Sequence, residues 1–182
     1  MTSVISQQAK QGIDYIFSQS VRKTLALNPD DVCNIEMLPG NAGHISMEKG
    51  IVVLTISSFL FKVLAIFHIG EDAETRNYFL GKSVNKSLIE VFSEVGNLCT
   101  GAMNHELLRY FPHLGMSTPY TLSGRCLTFL NELNPGHLSR HAITINGSAR
   151  LQATLCMCGY APIDFAVDKT AAERNTGELE LF

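Results

Sequence analysis

Residues 83–110 constrain the fold more than any other segment, because they contain no proline and their apolar side chains recur at helical spacing. The apolar residues that share one face of this predicted helix are Leu88, Phe92, Val95, Cys99, Ala102 and Met103. A second, polar stripe lies nearly opposite and comprises Glu90, Glu94, Asn97, Gly101 and Asn104. The chain is therefore predicted to contain a long helix that buries one face and exposes the other.

The composition of the polar stripe is unusual for a solvated helix face. It contains acids, amides and a glycine but no lysine or arginine, whereas exposed helix faces normally mix both signs of charge. Gly101 costs roughly 1 kcal/mol relative to alanine in a helix interior. A flat position that lets another backbone approach is one reason to keep a glycine there. An ordinary solvated face is the alternative interpretation.

Glu94 and Asn97 are three residues apart, so both side chains point the same way from one turn of the helix. A carboxylate can pair with a lysine or arginine of a partner. A carboxamide is a poor acid and base, but it can hold a water molecule by donating and accepting hydrogen bonds at once. Phosphoryl transfer requires mainly positioning. The pair therefore suits a protein that completes the active site of a partner.

The segment Glu94-Val-Gly-Asn97, followed by Gly101 and Pro119, resembles the signature helix of the CheC/CheX/FliY chemotaxis phosphatases. A single strong motif favours the CheX-like, one-site branch. The resemblance implies dephosphorylation of the phosphoaspartate of a CheY-like response-regulator receiver domain. Glu94 would dock on the receiver's lysine, and Asn97 would orient the attacking water. The receiver would supply Mg²⁺, so no cofactor of its own is expected, and a homodimer is expected from the same branch.

Two departures from the family pattern keep other functions open. Glu90 stands where the family has Asp or Ser, and Pro119 comes about one residue early. A second Glu-x-x-Asn sequence, Glu74 to Asn77, lacks the later proline. A non-catalytic module of the same fold, which binds a receiver domain or a flagellar or signalling partner, is therefore the alternative hypothesis. A dimerisation domain whose helix faces pack on another copy is a third.

The order of predicted elements indicates an α+β fold, in which an antiparallel sheet packs against two long helices. Ser83 or Asn85 is expected to cap the long helix. Asn146-Gly147 favours a type I′ turn between the last two strands. The predicted helices cover residues 4–25, 71–80 and 83–110, and the predicted strands cover residues 32–38, 50–56, 61–69, 116–122, 139–145 and 149–159. We expect a single domain over residues 4–165, a turn at residues 39–43 and a polar tail at residues 166–182.

Composition excludes several classes of function. The chain has 182 residues and a formal net charge of −3, which suits one domain and offers no basic surface for nucleic acid. It has no uninterrupted apolar run of membrane-spanning length, no signal-peptide pattern and no basic amphipathic stripe. Five cysteines, an odd number, indicate reduced thiols and a cytoplasmic location.

Histidine and cysteine spacings give weaker candidates. His137 and His141 are four residues apart, but they enter a predicted strand, so the helical spacing of a zinc site does not apply and a metal role is not favoured. Cys156 and Cys158 lie on one face of a strand and do not form the Cys-x-x-Cys redox motif. We interpret them as buried apolar residues.

Overall fold

The computed structural model describes residues 4–39, 50–81 and 86–168. Three α-helices, one 3₁₀ helix and seven strands occur within these ranges. In chain order the α-helices and strands are α1 (Gln7–Thr24), β1 (Cys33–Leu38), β2 (Gly50–Ser57), β3 (Phe61–His68), α2 (Ala73–Leu80), α3 (Leu88–Leu107), β4 (Gly115–Met116), β5 (Tyr120–Ser123), β6 (His137–Ile145) and β7 (Ala149–Gly159). The 3₁₀ helix, Gly124–Leu133, lies between β5 and β6.

The strands form one antiparallel sheet in the order β1-β6-β7-β3-β2-β4, with β5 also paired to β2. β3 is an interior strand, between β7 and β2. The β6–β7 hairpin turns through Asn146 and Gly147, whose φ angles are 52° and 70°. A type I′ turn requires positive φ at both positions, so the predicted turn is confirmed.

The two long helices, α1 and α3, pack against each other and cover one face of the sheet. The Ser6 side chain caps α1 by accepting a hydrogen bond from the Ala9 amide at 3.0 Å. Aromatic side chains fill the space between helices and sheet, among them Phe17 and Phe67, whose ring centroids are 6.3 Å apart. This arrangement confirms the predicted α+β fold.

The 3₁₀ helix covers part of the opposite face of the sheet and was not predicted. Its Leu130 is buried with Ile51, Val53 and Ile66 and with the two cysteines of β7, in a second apolar cluster. Burial raises the pKa of Cys156 to about 12, and Cys156 and Cys158 are both buried. The interpretation of these cysteines as buried apolar residues is therefore confirmed.

The prediction of one strand over residues 116–122 is wrong. The chain forms two short strands, β4 and β5, with Pro119 between them. Both strands pair with β2 at the edge of the sheet. Proline has no amide hydrogen to donate to a strand ladder, so the pairing is interrupted where Pro119 stands.

The two ends of the described chain meet beside α1. Ile5 forms a parallel bridge with Ile163. A Cβ atom added at Gly12 of α1 would lie 3.0 Å from the ring of Phe165 and 3.1 Å from Val167. Val167, the second residue of the predicted tail, therefore packs against α1. Residues 169–182 and the predicted turn beyond Pro39 lie outside the described residues, so the domain boundary stays a prediction.

Where the structure describes the chain, no helix has both the length and the apolar character needed to cross a membrane.

Candidate functional site on helix α3

Helix α3 begins with a reciprocal pair of hydrogen bonds. The Ser87 hydroxyl accepts from the Glu90 amide at 3.3 Å, and the Glu90 carboxylate accepts from the Ser87 amide at 2.7 Å. The Ser87 hydroxyl also lies 2.8 Å from the same carboxylate. These bonds hold the pKa of Glu90 below its usual value. Ser87 is thus the N-cap of α3, so the prediction of Ser83 or Asn85 as the cap is wrong.

Glu90 therefore has a structural task. Its carboxylate satisfies the first turn of α3 in a capping box, which fixes the residue at which the helix starts. The buried apolar face of α3, rather than the cap, sets the direction in which Glu94 and Asn97 project from the helix.

Glu94 projects into solvent one turn further along α3. Its side chain is 61% exposed, and both carboxylate oxygens accept from the ammonium group of Lys86 at 3.1 Å. Lys86 immediately precedes the N-cap and was not predicted to take part in the site. The sequence carries a weak signal for it, since Lys86 is the last basic residue before the acidic stripe, which starts four residues later at Glu90.

Asn97 lies on the next turn and is exposed. Its side chain forms no hydrogen bond with another residue of the described ranges. Both of its polar groups thus face water, with Glu94 three residues away on the same side of the helix. The structure brings together the two predicted site residues, and it leaves the amide available to hold a water molecule.

The two glycines of this part of α3 have opposite surroundings. A Cβ atom at Gly96 would lie 3.1 Å from Leu54 of β2 and 3.1 Å from the ring of Phe67 of β3. Gly96 therefore allows α3 to approach the sheet closely. A Cβ atom at Gly101 would have no neighbour within 4 Å. The internal packing of the described chain does not require a glycine at position 101, and the predicted flat position is open space.

The exposed face of α3 also carries apolar side chains, which the predicted polar stripe does not include. Leu98 is 60% exposed and follows Asn97 directly, and Leu108 is 43% exposed just beyond the end of the helix. Asn104, which was assigned to the polar stripe, is half-buried rather than exposed. Its Oδ1 atom is buried and has no hydrogen-bond partner among the described residues. The exposed members of the stripe are thus Glu90, Glu94 and Asn97, while Gly101 and Asn104 are half-buried.

Strand β4, three residues before Pro119, packs against α3. Pro119 is half-buried in the connection between β4 and β5. The second Glu-x-x-Asn sequence lies on α2, where Glu74 and Asn77 are both exposed. Helix α2 has eight residues, so it offers a much shorter exposed face than α3.

His137 and His141 lie on the helix-facing side of β6 and meet Asp14 of α1. The Asp14 carboxylate accepts from His137 Nε2 at 2.9 Å and from the Ser139 hydroxyl at 2.6 Å. His141 Nε2 lies 3.1 Å from Ser139 Oγ and 3.6 Å from Asp14. No group of three or more His, Cys, Asp or Glu side chains within the described ranges is arranged to hold a metal ion.

This network joins helix α1 to the sheet. Burial alone would raise the pKa of Asp14, but the hydrogen bonds from His137, His141 and Ser139 outweigh that effect and hold it well below the usual value. Asp14 stays ionised and satisfied inside the protein. Sequence reasoning missed it because Asp14 and His137 are 123 residues apart.

No family model matches the sequence, and no curated protein matches it. Several solved structures resemble the fold. A CheC-like superfamily protein from Shewanella sp. PV-4 has 15% identity and a TM-score of 0.54, covering 81% of this chain and 97% of that chain. The chemotaxis protein CheX from Desulfovibrio desulfuricans has 12% identity and a TM-score of 0.56, covering 81% and 99%.

A third match comes from a complex. A chain of the CheX–CheY–BeF₃–Mg²⁺ complex from Borrelia burgdorferi has 13% identity and a TM-score of 0.55, covering 81% of this chain and 96% of that chain. At such identities the likeness concerns the fold, which is the fold that the signature on α3 predicts. The chain therefore has the fold of the CheC-like and CheX chemotaxis proteins.

Proposed function

We propose that the protein is a CheX-like phosphatase that hydrolyses the phosphoaspartate of a response-regulator receiver domain. The observation that carries the proposal is the exposed pair of Glu94 and Asn97 on α3 of a CheX-type fold. A CheX protein of this fold has been solved together with CheY, BeF₃ and Mg²⁺, which supports a receiver domain as the partner.

Each residue of the pair has one task in the proposed reaction. Glu94 binds the ammonium group of a receiver lysine and so docks α3 over the phosphorylated aspartate. Asn97 accepts a hydrogen bond from a water molecule and orients its oxygen towards phosphorus. The water oxygen forms the new bond as the bond to the aspartate oxygen breaks, which yields inorganic phosphate and a free carboxylate. The receiver supplies Mg²⁺.

The surroundings of the pair fit docking by a protein surface. Gly101 leaves open space one turn beyond Asn97, and Leu98 adds an exposed apolar side chain at the same place. Apolar surface next to fixed polar groups is typical of the core of protein interfaces. A cytoplasmic location and a homodimer belong to the same proposal, and light scattering of the purified protein tests the dimer.

The decisive experiment measures the lifetime of the phosphoryl group on receiver domains from the same cell. Wild type should shorten that lifetime, and Asn97→Ala should reduce the acceleration by at least about tenfold because the water loses its orienting group. Asn77→Ala is the matched control, since Asn77 is also exposed and also follows a glutamate by three residues. Full activity of Asn97→Ala would refute the mechanism.

A non-catalytic receiver-binding module remains the second candidate. The observation that favours it is Glu90, whose carboxylate caps α3 at the position where the family signature has Asp or Ser. A receiver domain that binds the protein without a shorter phosphoryl lifetime would support this module over the phosphatase.

A further inference from the structure

Lys86 binds the Glu94 carboxylate, which in the proposed function binds a lysine of the partner. Its Nζ atom donates to Oε1 and to Oε2 of Glu94, each at 3.1 Å. Lys86 stands one residue before the N-cap of α3, so its side chain reaches along the first turns of the helix to meet Glu94. Both oxygens of the docking carboxylate thus already contact one ammonium group.

In the proposed function a receiver lysine binds the same carboxylate. Two ammonium groups on one carboxylate repel each other at close range, so Lys86 competes with the receiver lysine for Glu94. Glu90 offers Lys86 another acidic neighbour, since the charge of Lys86 helps lower the pKa of Glu90 after the hydrogen bonds from Ser87. Displacement of Lys86 therefore leaves it beside a second carboxylate.

We propose that Lys86 is an internal competitor for Glu94, which the receiver lysine must displace when the protein docks. This inference rests on the proposed function and adds a residue that tunes the affinity for the receiver domain. The Lys86 and Glu94 side chains are 53% and 61% exposed, so water and salt screen their attraction. An exposed ion pair of this kind supports a competition of about two- to fivefold in affinity.

The test compares Lys86→Met with Lys62→Met. Lys62 is exposed on β3 between two buried residues, Phe61 and Val63, so it lies on the face of the sheet away from α3 and its substitution removes the same charge. We expect Lys86→Met to lower KM for the phosphorylated receiver by about two- to fivefold without changing kcat. The difference should shrink as ionic strength rises. An unchanged or higher KM would overturn the inference.

A binding measurement separates this inference from the proposed catalysis. The probe is a receiver domain loaded with BeF₃ and Mg²⁺, whose Kd is measured without turnover. Lys86→Met should bind it more tightly than wild type, and Lys86→Met in a Glu94→Gln background should bind no more tightly than Glu94→Gln alone. An equal Kd for Lys86→Met and wild type refutes the role of Lys86 as a competitor but leaves the proposed phosphatase activity untouched. Binding that follows this pattern without hydrolysis refutes the phosphatase alone, and no binding by any variant refutes both.

Discussion

The two glycines of α3 give a sharp test of how this helix is built. Replacing either one by alanine removes the helix penalty of glycine, a gain of roughly 1 kcal/mol. At Gly101 nothing opposes that gain, because a Cβ atom there has no neighbour within 4 Å. Gly101→Ala should therefore stabilise the folded protein by up to about 1 kcal/mol.

The same substitution at Gly96 meets the sheet. Its Cβ atom would lie 3.1 Å from Leu54 and from Phe67, and both side chains are almost fully buried, so neither can move towards solvent. Such overpacking costs about 1–3 kcal/mol. Gly96→Ala should thus be less stable than Gly101→Ala by that amount, which corresponds to a Tm difference of about 2–12 °C for a chain of this size.

Urea unfolding followed by circular dichroism measures both variants against wild type. Equal stability of the two variants, or greater stability of Gly96→Ala, would refute the close approach of α3 to β2 and β3. The proposed function allows a second comparison, between the receiver affinities of Gly101→Ala and wild type. Gly101→Ala should weaken receiver binding although the variant is stable, because its methyl group fills space that the partner would occupy in the proposed complex. Unchanged receiver affinity of this stable variant would remove Gly101 from the docking surface.

Three further outcomes follow from buried or exposed titratable groups. Asp14→Asn should lower the free energy of unfolding by about 2 kcal/mol, measured in urea, because the charged acceptor of His137 and Ser139 is lost; a loss below about 0.5 kcal/mol would contradict this. Burial, and then the charge of Arg140, lower the pKa of His68 from 6.5 to about 4. Between pH 6.5 and about 4, His68 is protonated in the unfolded chain but neutral in the folded chain, so the free energy of unfolding should fall as pH falls, by about 3 kcal/mol at most. His68→Gln should flatten this pH dependence. An aromatic disulfide reagent should react rapidly with exposed Cys126 but not with buried Cys99, whose pKa burial raises to about 12, and a fast phase that survives Cys126→Ser would be the contrary result.

Local patterns predicted much of the fold because they act over a few residues. The spacing of Phe92, Val95 and Cys99 identified the buried face of α3, and all three side chains are buried. Asn146-Gly147 identified a turn whose backbone needs positive φ. The exposed positions of Glu94 and Asn97 followed from the same helical periodicity.

Other features depend on contacts that no local pattern records. The 3₁₀ helix repeats every three residues rather than every 3.6, so it matched neither the helix nor the strand pattern. Asp14 meets β6 from a helix 123 residues away. Lys86 precedes the first residue of α3, so helical spacing could not relate it to Glu94 although only eight residues separate them.

The freedom of the Asn97 side chain has an evolutionary consequence. Because no described residue holds this amide, replacing it costs the fold little, as is usual for exposed positions. Selection for stability therefore does not protect this side chain, and under the proposed function only selection for phosphoryl hydrolysis retains it. A lineage that needed receiver binding alone could lose this side chain in one step while keeping the same helix, the same sheet and the carboxylate proposed for docking.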